Sequence, residues 1–316
     1  MDIEMELQEL SVIVPVRNEE KAVGFVLDEI LSLGISPKNV VVVDGGSTDK
    51  TVEIAKSRGV LVVAQEGKGK ADAIKTGLKY TSTPYVLVID GDGTYPAKYI
   101  PKLLATAKSN DCDIAIGVRL QGKESQKFIF KLGNKVLTLF FNLLFGVKLR
   151  DVLSGMYLAK SDKLRRVDFE MKGFSVESEV VAHFASLGSV CEEVVEYRSR
   201  IDPKAKKLKV FHGFKIAVDM IRLTWRYSPA FLVFILGSLA LVPGLVLGAW
   251  VGYHYFFTGI NYYMKGLVAI MLTLAGFNSL IAAMVALYLK RVEIRINKQL
   301  EDIRRDINRI KSSGVA

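Results

Sequence analysis

The chain contains 316 residues, and its 43 Lys and Arg outnumber its 33 Asp and Glu, which gives a formal net charge of +10. Hydrophobic residues make up 50% of the chain and charged residues 24%, a composition that excludes disordered and fibrous proteins. The two cysteines, Cys112 and Cys191, allow at most one disulfide, which excludes a disulfide-rich secreted scaffold, and we expect both to be buried thiols.

Short runs of β-branched residues alternate with stretches of helical periodicity in the first part of the chain. This alternation predicts a mainly parallel α/β sheet, in which ligands bind beyond the carboxyl ends of the strands. No Gly-x-Gly-x-x-Gly follows the first strand, so a dinucleotide site is not expected. The predicted strands are Ser11–Val16, Val40–Val43, Val60–Ala64, Tyr85–Ile89 and Asp113–Gly117, and predicted helices begin near Glu19, Asp49, Lys70 and Ala97.

An acidic motif follows the fourth predicted strand, where Asp90 and Asp92 are each followed by a glycine. Two carboxylates this close are comfortably ionised together only when a cation lies between them. Carboxylate oxygens suit Mg²⁺ or Mn²⁺, which complete their coordination with water and substrate phosphate. The motif therefore favours a metal site for a diphosphate-bearing substrate, with an ordinary Asp-Gly turn as the alternative.

Two long runs near the C-terminus, residues 230–257 and 266–289, contain no Lys, Arg, Asp or Glu. Each exceeds the ~20 residues that a helix needs to cross a hydrocarbon core. Basic residues flank the outer ends of this hairpin and the connecting loop carries only Lys265, so both ends are expected in the cytoplasm. The N-terminus lacks the pattern of a signal peptide. We therefore expect a multi-pass membrane protein with a cytosolic domain over residues 1–227, a transmembrane hairpin over 228–290, and a cytosolic amphipathic helix over 291–316.

Two further segments, near residues 126–145 and 211–227, are apolar but interrupted by basic residues. Such segments can lie in the membrane interface with their basic side chains at the head groups, and core packing is the alternative for the first one. After the hairpin, apolar residues recur at alternating four- and three-residue steps, at Ile296, Leu300, Ile303, Ile307 and Ile310. This pattern fits either a helix that rests on lipid or protein, or a contact between copies of the chain.

Several motifs follow one another in a distinctive order. They are Pro15-Val-Arg-Asn-Glu19, Asp44-Gly-Gly-Ser-Thr-Asp49, Gly67-Lys-Gly-Lys-Ala-Asp-Ala73 and Asp90-x-Asp92. In this order they resemble the family 2 glycosyltransferases of the GT-A fold. The resemblance covers roughly residues 10–225 and points to the dolichyl-phosphate sugar synthase branch, while the paired spans resemble polyprenyl-phosphate glucosyltransferases. The motifs that extend it are Asp151-Val-Leu-Ser-Gly155, Tyr197-Arg-Ser-Arg200 and Lys207-Leu208.

The resemblance implies roles for individual residues. The metal ligands would be Asp90 and Asp92, and the catalytic residues would be Asp92, Asp151 and Arg200. The acceptor phosphate would be contacted by Arg119, at the end of the fifth strand, and by Lys131, Ser154, Arg200 and Lys207. The nucleotide would be contacted by Pro15, Arg17, Glu19, Val43, Asp44, Lys68, Asp90, Gly91 and Asp92.

The chain departs from the family pattern at several positions, which leaves alternatives open. Gly45 stands where many mannosyl members carry a second Asp, so the donor nucleotide could be GDP or UDP. Lys206 is an alternative to Lys207 as the site lysine, because the spacing from Arg200 to Lys207-Leu208 is one residue longer than in the family. Asp151 could orient a basic residue, act as a weak base or serve as a structural cap. Thr94 stands where some family members have Gln, and Met156-Tyr157 stand where the family usually has an aromatic residue and Arg. Glu177 and Glu179 either match another family element or line a solvated helix face.

The implied reaction is an inverting, metal-dependent transfer of mannose or glucose from GDP-mannose or UDP-glucose to dolichyl or polyprenyl phosphate on the cytoplasmic leaflet. The expected partners are the nucleotide-sugar donor, the lipid acceptor and the bilayer, with a homo-oligomer as an open possibility and no nucleic acid. Two alternatives remain. The sequence Asp90-Gly-Asp-Gly-Thr94 also resembles the nucleophile motif of haloacid-dehalogenase-type phosphatases, and a catalytically silent binder would retain the same fold.

Overall fold

The computed structural model describes residues 6–121, 128–171, 176–202, 211–227 and 229–313. The chain divides into two compact units, Met1–Leu223 and Thr224–Ala316. The first unit is built on a seven-stranded sheet. Its strands are β1 (Leu10–Val16), β2 (Val40–Asp44), β3 (Leu61–Ala64), β4 (Tyr85–Ile89), β5 (Ile114–Gln121), β6 (Met156–Lys160) and β7 (Val190–Tyr197).

The order of the strands in the sheet is β3-β2-β1-β4-β6-β5-β7. Neighbouring strands are parallel except at β6, which runs antiparallel to both β4 and β5. This topology confirms the predicted mainly parallel α/β sheet. All five predicted strands are present, Tyr85–Ile89 with the predicted bounds and the other four with shifts at their ends, whereas β6 and β7 are not among the predicted strands.

Helices connect the strands of this unit. In α1, Val23, Val26, Leu27 and Ile30 are buried at the spacing of one helical face, which explains why this segment forms an amphipathic helix on the sheet. The helices are α1 (Val23–Leu31), α2 (Thr51–Lys56), α3 (Lys70–Leu78), α4 (Ile100–Ser109), α5 (Phe128–Phe145), α6 (Ser161–Leu164), α7 (Val176–Leu187) and α8 (Phe211–Tyr227), which extends past the end of the unit.

The central strands β1, β2 and β4 are buried on both faces, as expected for parallel strands covered by helices. Their register pairs Val16 with Asp44 and Ile13 with Val88. The three segments that follow these strands therefore lie at one edge of the sheet.

Cys112 and Cys191, expected to be thiols, are instead joined as a disulfide, with their Cα atoms 6.0 Å apart.

The second unit contains α9 (Pro229–Tyr253), a π-helical turn (His254–Thr258) and α10 (Tyr263–Ser313). Residues 229–258 and 263–289 form helices that are long and apolar enough to cross a membrane. Small residues let α9 and α10 pack closely, because a Cβ at Gly276 would lie 2.5 Å from the backbone nitrogen of Leu241. The α10 helix continues without a break beyond the apolar segment.

Candidate active site

Asp90 directly follows β4, and its carboxylate is flanked on two sides. The Oδ1 atom accepts a hydrogen bond from Lys70 Nζ at 2.5 Å. On the other side, the backbone of Gly155 comes so close that a Cβ at this position would lie 2.0 Å from Asp90 Oδ2. A residue larger than glycine at position 155 would therefore displace the carboxylate.

Asp92 lies two residues further, in the turn after β4. Its Oδ1 atom accepts hydrogen bonds from the backbone N–H and the hydroxyl of Thr94, at 3.0 and 2.6 Å. Its Oδ2 atom lies 3.4 Å from the guanidinium of Arg200, which also pairs with the buried Glu19. Burial, followed by the charge of Asp90, raises the pKa of Asp92, while the Thr94 hydrogen bonds and Arg200 act in the opposite direction.

A nearly buried ion-pair cluster adjoins Asp90. Lys70 Nζ contacts Glu177 Oε1 at 2.6 Å as well as Asp90, and the Lys70 and Glu177 side chains are 18% and 11% exposed. Burial alone would lower the pKa of Lys70, but the charges of Asp90 and Glu177 raise it well above its ordinary value. The sequence did not single out Lys70 as a site residue, because its partner Glu177 is 107 residues away in the chain.

The interpretation of Glu177 and Glu179 as a solvated helix face is wrong, because both side chains are buried on α7. Burial raises the pKa of Glu177, and Lys70 partly offsets this effect. The Glu179 carboxylate accepts hydrogen bonds from the backbone N–H groups of Glu170 and Met171, at 2.7 and 3.0 Å. Glu179 therefore anchors the segment before α7, whereas Glu177 belongs to the cluster beside Asp90.

The chemistry of the acidic motif fits a divalent cation. Asp90 and Asp92 present oxygen ligands of the kind that Mg²⁺ and Mn²⁺ prefer. Asp90 shares one ammonium with Glu177, and Asp92 shares one guanidinium with Glu19, so carboxylates outnumber cations within this cluster. Among the described residues, no three His, Cys, Asp or Glu side chains form a group that could hold a metal by themselves. The other ligands would therefore come from substrate and water.

Two polar atoms beside the motif also point to a bound ligand. Within the described ranges, Tyr157 Oη and Arg200 Nε are buried without a hydrogen-bond partner. Burial raises the pKa of Tyr157, which also lies within the field of Lys70 and Glu177. Tyr157 belongs to the pair Met156-Tyr157, which stands where the family usually has an aromatic residue and Arg. Its hydroxyl is a donor that a bound substrate or water could satisfy.

The turns that follow β1 and β2 are hydrogen-bonded to each other. Asn18 adopts a φ of 56°, its N–H donates to the hydroxyl of Ser47 at 2.9 Å, and its side-chain oxygen accepts from the N–H of Thr48 at 2.8 Å. The Asp44 carboxylate accepts from the N–H and the hydroxyl of Ser47, at 3.1 and 2.6 Å. These bonds join the two turns into one wall at this edge of the sheet.

The other residues expected at the nucleotide are distributed around this wall. Pro15 is half-buried and Val43 is buried, whereas Arg17 and Lys68 are exposed. Gly91 lies against β1 so closely that a Cβ would be 2.6 Å from a valine side chain of that strand. Except for Lys68, which lies between β3 and α3, these residues belong with Asp44 and Glu19 to the ends of β1, β2 and β4 or to the segments that follow them.

Arg119 forms a second ionic centre. It lies within β5, two residues before the strand ends at Gln121, rather than at the strand end as expected. Its Nε and Nη2 atoms donate to both oxygens of Asp151 at 2.6 and 2.7 Å, and Nη2 also donates to Asn134 of α5 at 3.0 Å. The guanidinium lies 5.4 Å from the centre of the Tyr197 ring. Arg119 is thus held by Asp151, in line with the expected option that Asp151 orients a basic residue, and by Asn134, which the sequence did not single out.

The contacts of Asp151 place it to orient the Arg119 side chain. Both of its carboxylate oxygens accept from Arg119, and Oδ1 also accepts from the side chain of Asn134 and the N–H of Leu153, each at 3.2 Å. Its side chain is only 3% exposed. Because N–H donors surround both oxygens, Asp151 is better placed to position a cation than to accept a proton from substrate.

The loop from Asp151 to Gly155 connects the two centres. At one end Asp151 binds Arg119, and at the other end Gly155 lies against Asp90. Within the loop, the Ser154 hydroxyl donates to the carbonyl of Gly117 at 2.6 Å. The Gly155 N–H donates to the buried Tyr95 hydroxyl at 2.7 Å, a fixed contact that the sequence did not reveal. This loop therefore sets the geometry of both centres at once.

Two residues expected at the acceptor phosphate remain. Lys131 is half-buried on α5, one turn before Asn134. Lys207 and its competitor Lys206 lie outside the described residues. The structure thus brings Asp90, Asp92, Glu19 and Arg200 into one cluster, and Arg119, Asp151 and Ser154 into a second one.

Comparisons with known proteins agree with this architecture. Residues 11–167 match the family described as glycosyl transferase family 2. The chain is 28% identical over 298 residues to glycosyltransferase AglJ of Haloferax volcanii, covering 92% of this chain and 97% of that protein. It is 31% identical over 200 residues to a dolichyl-phosphate hexose transferase of the same organism, covering 62% of this chain and 86% of that protein.

Among solved structures, glucosyl-3-phosphoglycerate synthase from Mycobacterium tuberculosis, crystallised with Mn²⁺, UDP and phosphoglyceric acid, has a TM-score of 0.58. It is 22% identical to this chain, and the match covers 71% of this chain and 81% of that one. At this identity the likeness bears on the fold alone. Together with the observed sheet, it confirms the expected GT-A fold.

Proposed function

Because the chain belongs to glycosyl transferase family 2, we propose that it transfers mannose or glucose from GDP-mannose or UDP-glucose to dolichyl or polyprenyl phosphate. The reaction inverts the anomeric centre and requires Mg²⁺ or Mn²⁺. The acceptor class is supported by the relative named dolichyl-phosphate hexose transferase, of which the matched region spans most of the length.

One observation carries the proposal: the loop from Asp151 to Gly155 links an acidic pair suited to a metal with a buried arginine suited to a phosphate. Asp90 meets one end of this loop and Arg119 meets the other. A transfer from a nucleotide diphosphate to a lipid phosphate needs these two kinds of site side by side, because both substrates are anions. The Nε and Nη2 donors of Arg119 bind Asp151 and Asn134, so its charge and its Nη1 donors would be the part that meets a phosphate oxygen.

On the donor side, Asp90 and Asp92 would hold the divalent ion. When bound, that ion supplies Lewis-acid stabilisation of the negative charge on the leaving nucleoside diphosphate. Arg200, which pairs with Asp92 and Glu19, ties the segment after β7 to the turn after β4. The wall made by the turns after β1 and β2 would hold the base and ribose, with Asp44 as an acceptor for a base N–H.

On the acceptor side, Arg119 would position the lipid phosphate. A phosphomonoester has a second pKa of about 6 and is largely dianionic at neutral pH, so it needs no strong general base. A phosphate oxygen attacks the anomeric carbon on the face opposite the nucleoside diphosphate, and the bond from that carbon to the diphosphate oxygen breaks. Asp151 contributes by orienting Arg119. Lys131 and Lys207 are further candidates for contact with the acceptor.

Exposed apolar faces support a location at the membrane. On α5 the side chains of Leu132, Val136, Leu139 and Leu143 are all at least half exposed, at helical spacing along one face. On α8, Phe214 is 71% exposed and belongs to a similar row. We infer that both helices lie in the interface of the cytoplasmic leaflet, with residues 229–258 and 263–289 spanning the bilayer.

The proposal is tested with the full-length protein in detergent, Mn²⁺, and radiolabelled UDP-glucose or GDP-mannose, with dolichyl phosphate as acceptor. A labelled lipid should form with one donor, and Asp92→Asn should abolish it. Asp162→Asn, which removes a charge from an exposed Asp on α6, is the matched control and should retain activity.

The other outcomes separate the alternatives. Release of inorganic phosphate without labelled lipid would favour the phosphatase, in which Asp90 would be the nucleophile. Binding of the nucleotide-sugar without either product would favour the silent binder. Labelled lipid formed equally well by Asp92→Asn would refute the metal site.

A further inference from the structure

Lys70 occupies an unusual position for a lysine. It is the first residue of α3, preceded by Gly69 with a φ of 94°. A cation at the N-terminus of a helix opposes the helix dipole, so this placement does not serve helix stability. The ammonium is instead held by two carboxylates from distant elements, Asp90 after β4 and Glu177 on α7.

We propose that Lys70 competes with the divalent metal for Asp90, so that tight metal binding requires the diphosphate of the nucleotide. This inference rests on the proposed function, because it concerns the metal site of the glycosyltransferase. It assigns Lys70 the role of a positioning residue that controls when Asp90 is available.

The Asp90 carboxylate is enclosed on two sides. Lys70 Nζ lies 2.5 Å from Oδ1, and the Gly155 backbone closes the side of Oδ2. A cation that binds Asp90 must therefore share the carboxylate with the ammonium or displace it. Like charges a few Å apart in a partly buried site repel each other strongly, and the Lys70 and Asp90 side chains are only 18% and 32% exposed.

Glu177 determines how readily Lys70 can yield. When the ammonium leaves Asp90, it retains the contact with Glu177 at 2.6 Å, so it is not left as an unpaired buried charge. Glu177 thus provides an alternative partner within reach, and the lysine does not need to move into solvent.

A nucleotide diphosphate shifts this competition toward the metal. It adds negative charge and oxygen ligands, which the two carboxylates of the motif cannot supply alone. Tight binding of the ion at Asp90 and Asp92 would therefore depend on the presence of the nucleotide. In this way a free metal does not occupy the site ahead of the donor.

The test measures binding of Mn²⁺ alone to the full-length protein in detergent, with the free ion quantified by electron paramagnetic resonance. Lys70→Met should increase the affinity for Mn²⁺ about tenfold or more relative to wild type. Lys79→Met is the matched control, because Lys79 is an exposed lysine at the end of the same helix that pairs with Glu66. It should bind Mn²⁺ as wild type does.

Two further variants separate direct competition from net charge. Glu177→Gln leaves Asp90 as the charged partner of Lys70 in this cluster. Because the ammonium then has no second carboxylate there to move to, Mn²⁺ should bind more weakly. The double variant Lys70→Met/Glu177→Gln restores the net charge of wild type without the ammonium, and it should still bind Mn²⁺ more tightly than wild type. It also carries the test if Lys70→Met does not fold, which circular dichroism would reveal.

The inference is overturned if Lys70→Met, correctly folded, binds Mn²⁺ no more tightly than wild type, or if the double variant matches wild type. Its failure is distinguishable from failure of the proposed function. Glycolipid formation by wild type, combined with unchanged Mn²⁺ affinity in Lys70→Met, refutes the role of Lys70 alone. Absence of glycolipid with every donor tested refutes the proposed function, whatever the Mn²⁺ affinities are.

Discussion

Removal of the Asp151 carboxylate should destabilise the sheet-containing unit. The Arg119–Asp151 pair has two contacts of 2.6 and 2.7 Å, and the two side chains are 10% and 3% exposed. Loss of one partner from a buried pair costs about 3–5 kcal/mol, because the other charge remains buried without compensation. At about 2–4 °C per kcal/mol for a unit of this size, Asp151→Ala should lower Tm by about 6–20 °C.

The assay is thermal unfolding of the full-length protein in detergent, followed by near-ultraviolet circular dichroism. The double variant Arg119→Met/Asp151→Leu replaces both charges with apolar side chains and should recover most of the lost stability, although it should not use the lipid acceptor. Asp162→Ala removes one partner of an exposed pair at 3.5 Å and should change the free energy of unfolding by less than about 1 kcal/mol. The reasoning is refuted if the Tm of Asp151→Ala lies within about 2 °C of the wild-type Tm.

Three other changes test separate parts of the account. Gly155→Ala places a Cβ 2.0 Å from Asp90 Oδ2 and should abolish binding of Mn²⁺ with UDP or GDP while leaving circular dichroism unchanged; retained calorimetric binding would contradict the role of this close approach. Burial acts to raise the pKa of Asp113, but Lys163, Ser189 and Lys160 outweigh it and lower that pKa. The ionised Asp113 therefore stabilises the folded state above the unfolded pKa of about 3.9, and this contribution is lost as pH falls through the folded pKa. The Tm of Asp113→Asn should therefore lie below that of wild type at pH 7 and approach it below about pH 4, and a constant difference across this range would count against the assignment. Leu139→Glu alters a 70% exposed face of α5 and should raise KM for a long-chain polyprenyl phosphate but not for a short water-soluble analogue; equal effects on both would argue against an interfacial α5.

The central part of the sheet could be predicted from local sequence patterns. Strands β1, β2 and β4 are continuous apolar runs because helices cover both faces, and their polar ends identify the binding edge. Strand β7 was missed because Glu192, Glu193 and Glu196 interrupt its apolar pattern. In the structure Glu193 and Glu196 pair with lysines near the first part of α4, which only the tertiary fold reveals.

Individual site residues could be predicted where the chemistry is local. Asp90 and Asp92 are separated by a single residue, and their position after a buried strand is the local pattern that predicts a metal site. The partnership of Lys70 with Glu177 depends on contact between residues 107 positions apart, which no local pattern records. The same limitation applies to the pairing of Arg119 with Asp151, since that pairing depends on the fold of the loop before β6.

The most direct test of the account is whether a divalent ion is needed to make a glycosylated lipid. Full-length protein, stripped of metal with a chelator, is incubated with dolichyl phosphate and labelled UDP-glucose or GDP-mannose before and after Mn²⁺ is restored. The account predicts that labelled dolichyl phosphate hexose appears with one donor only after the ion is restored. Equal amounts of labelled lipid in the presence of excess chelator would contradict it.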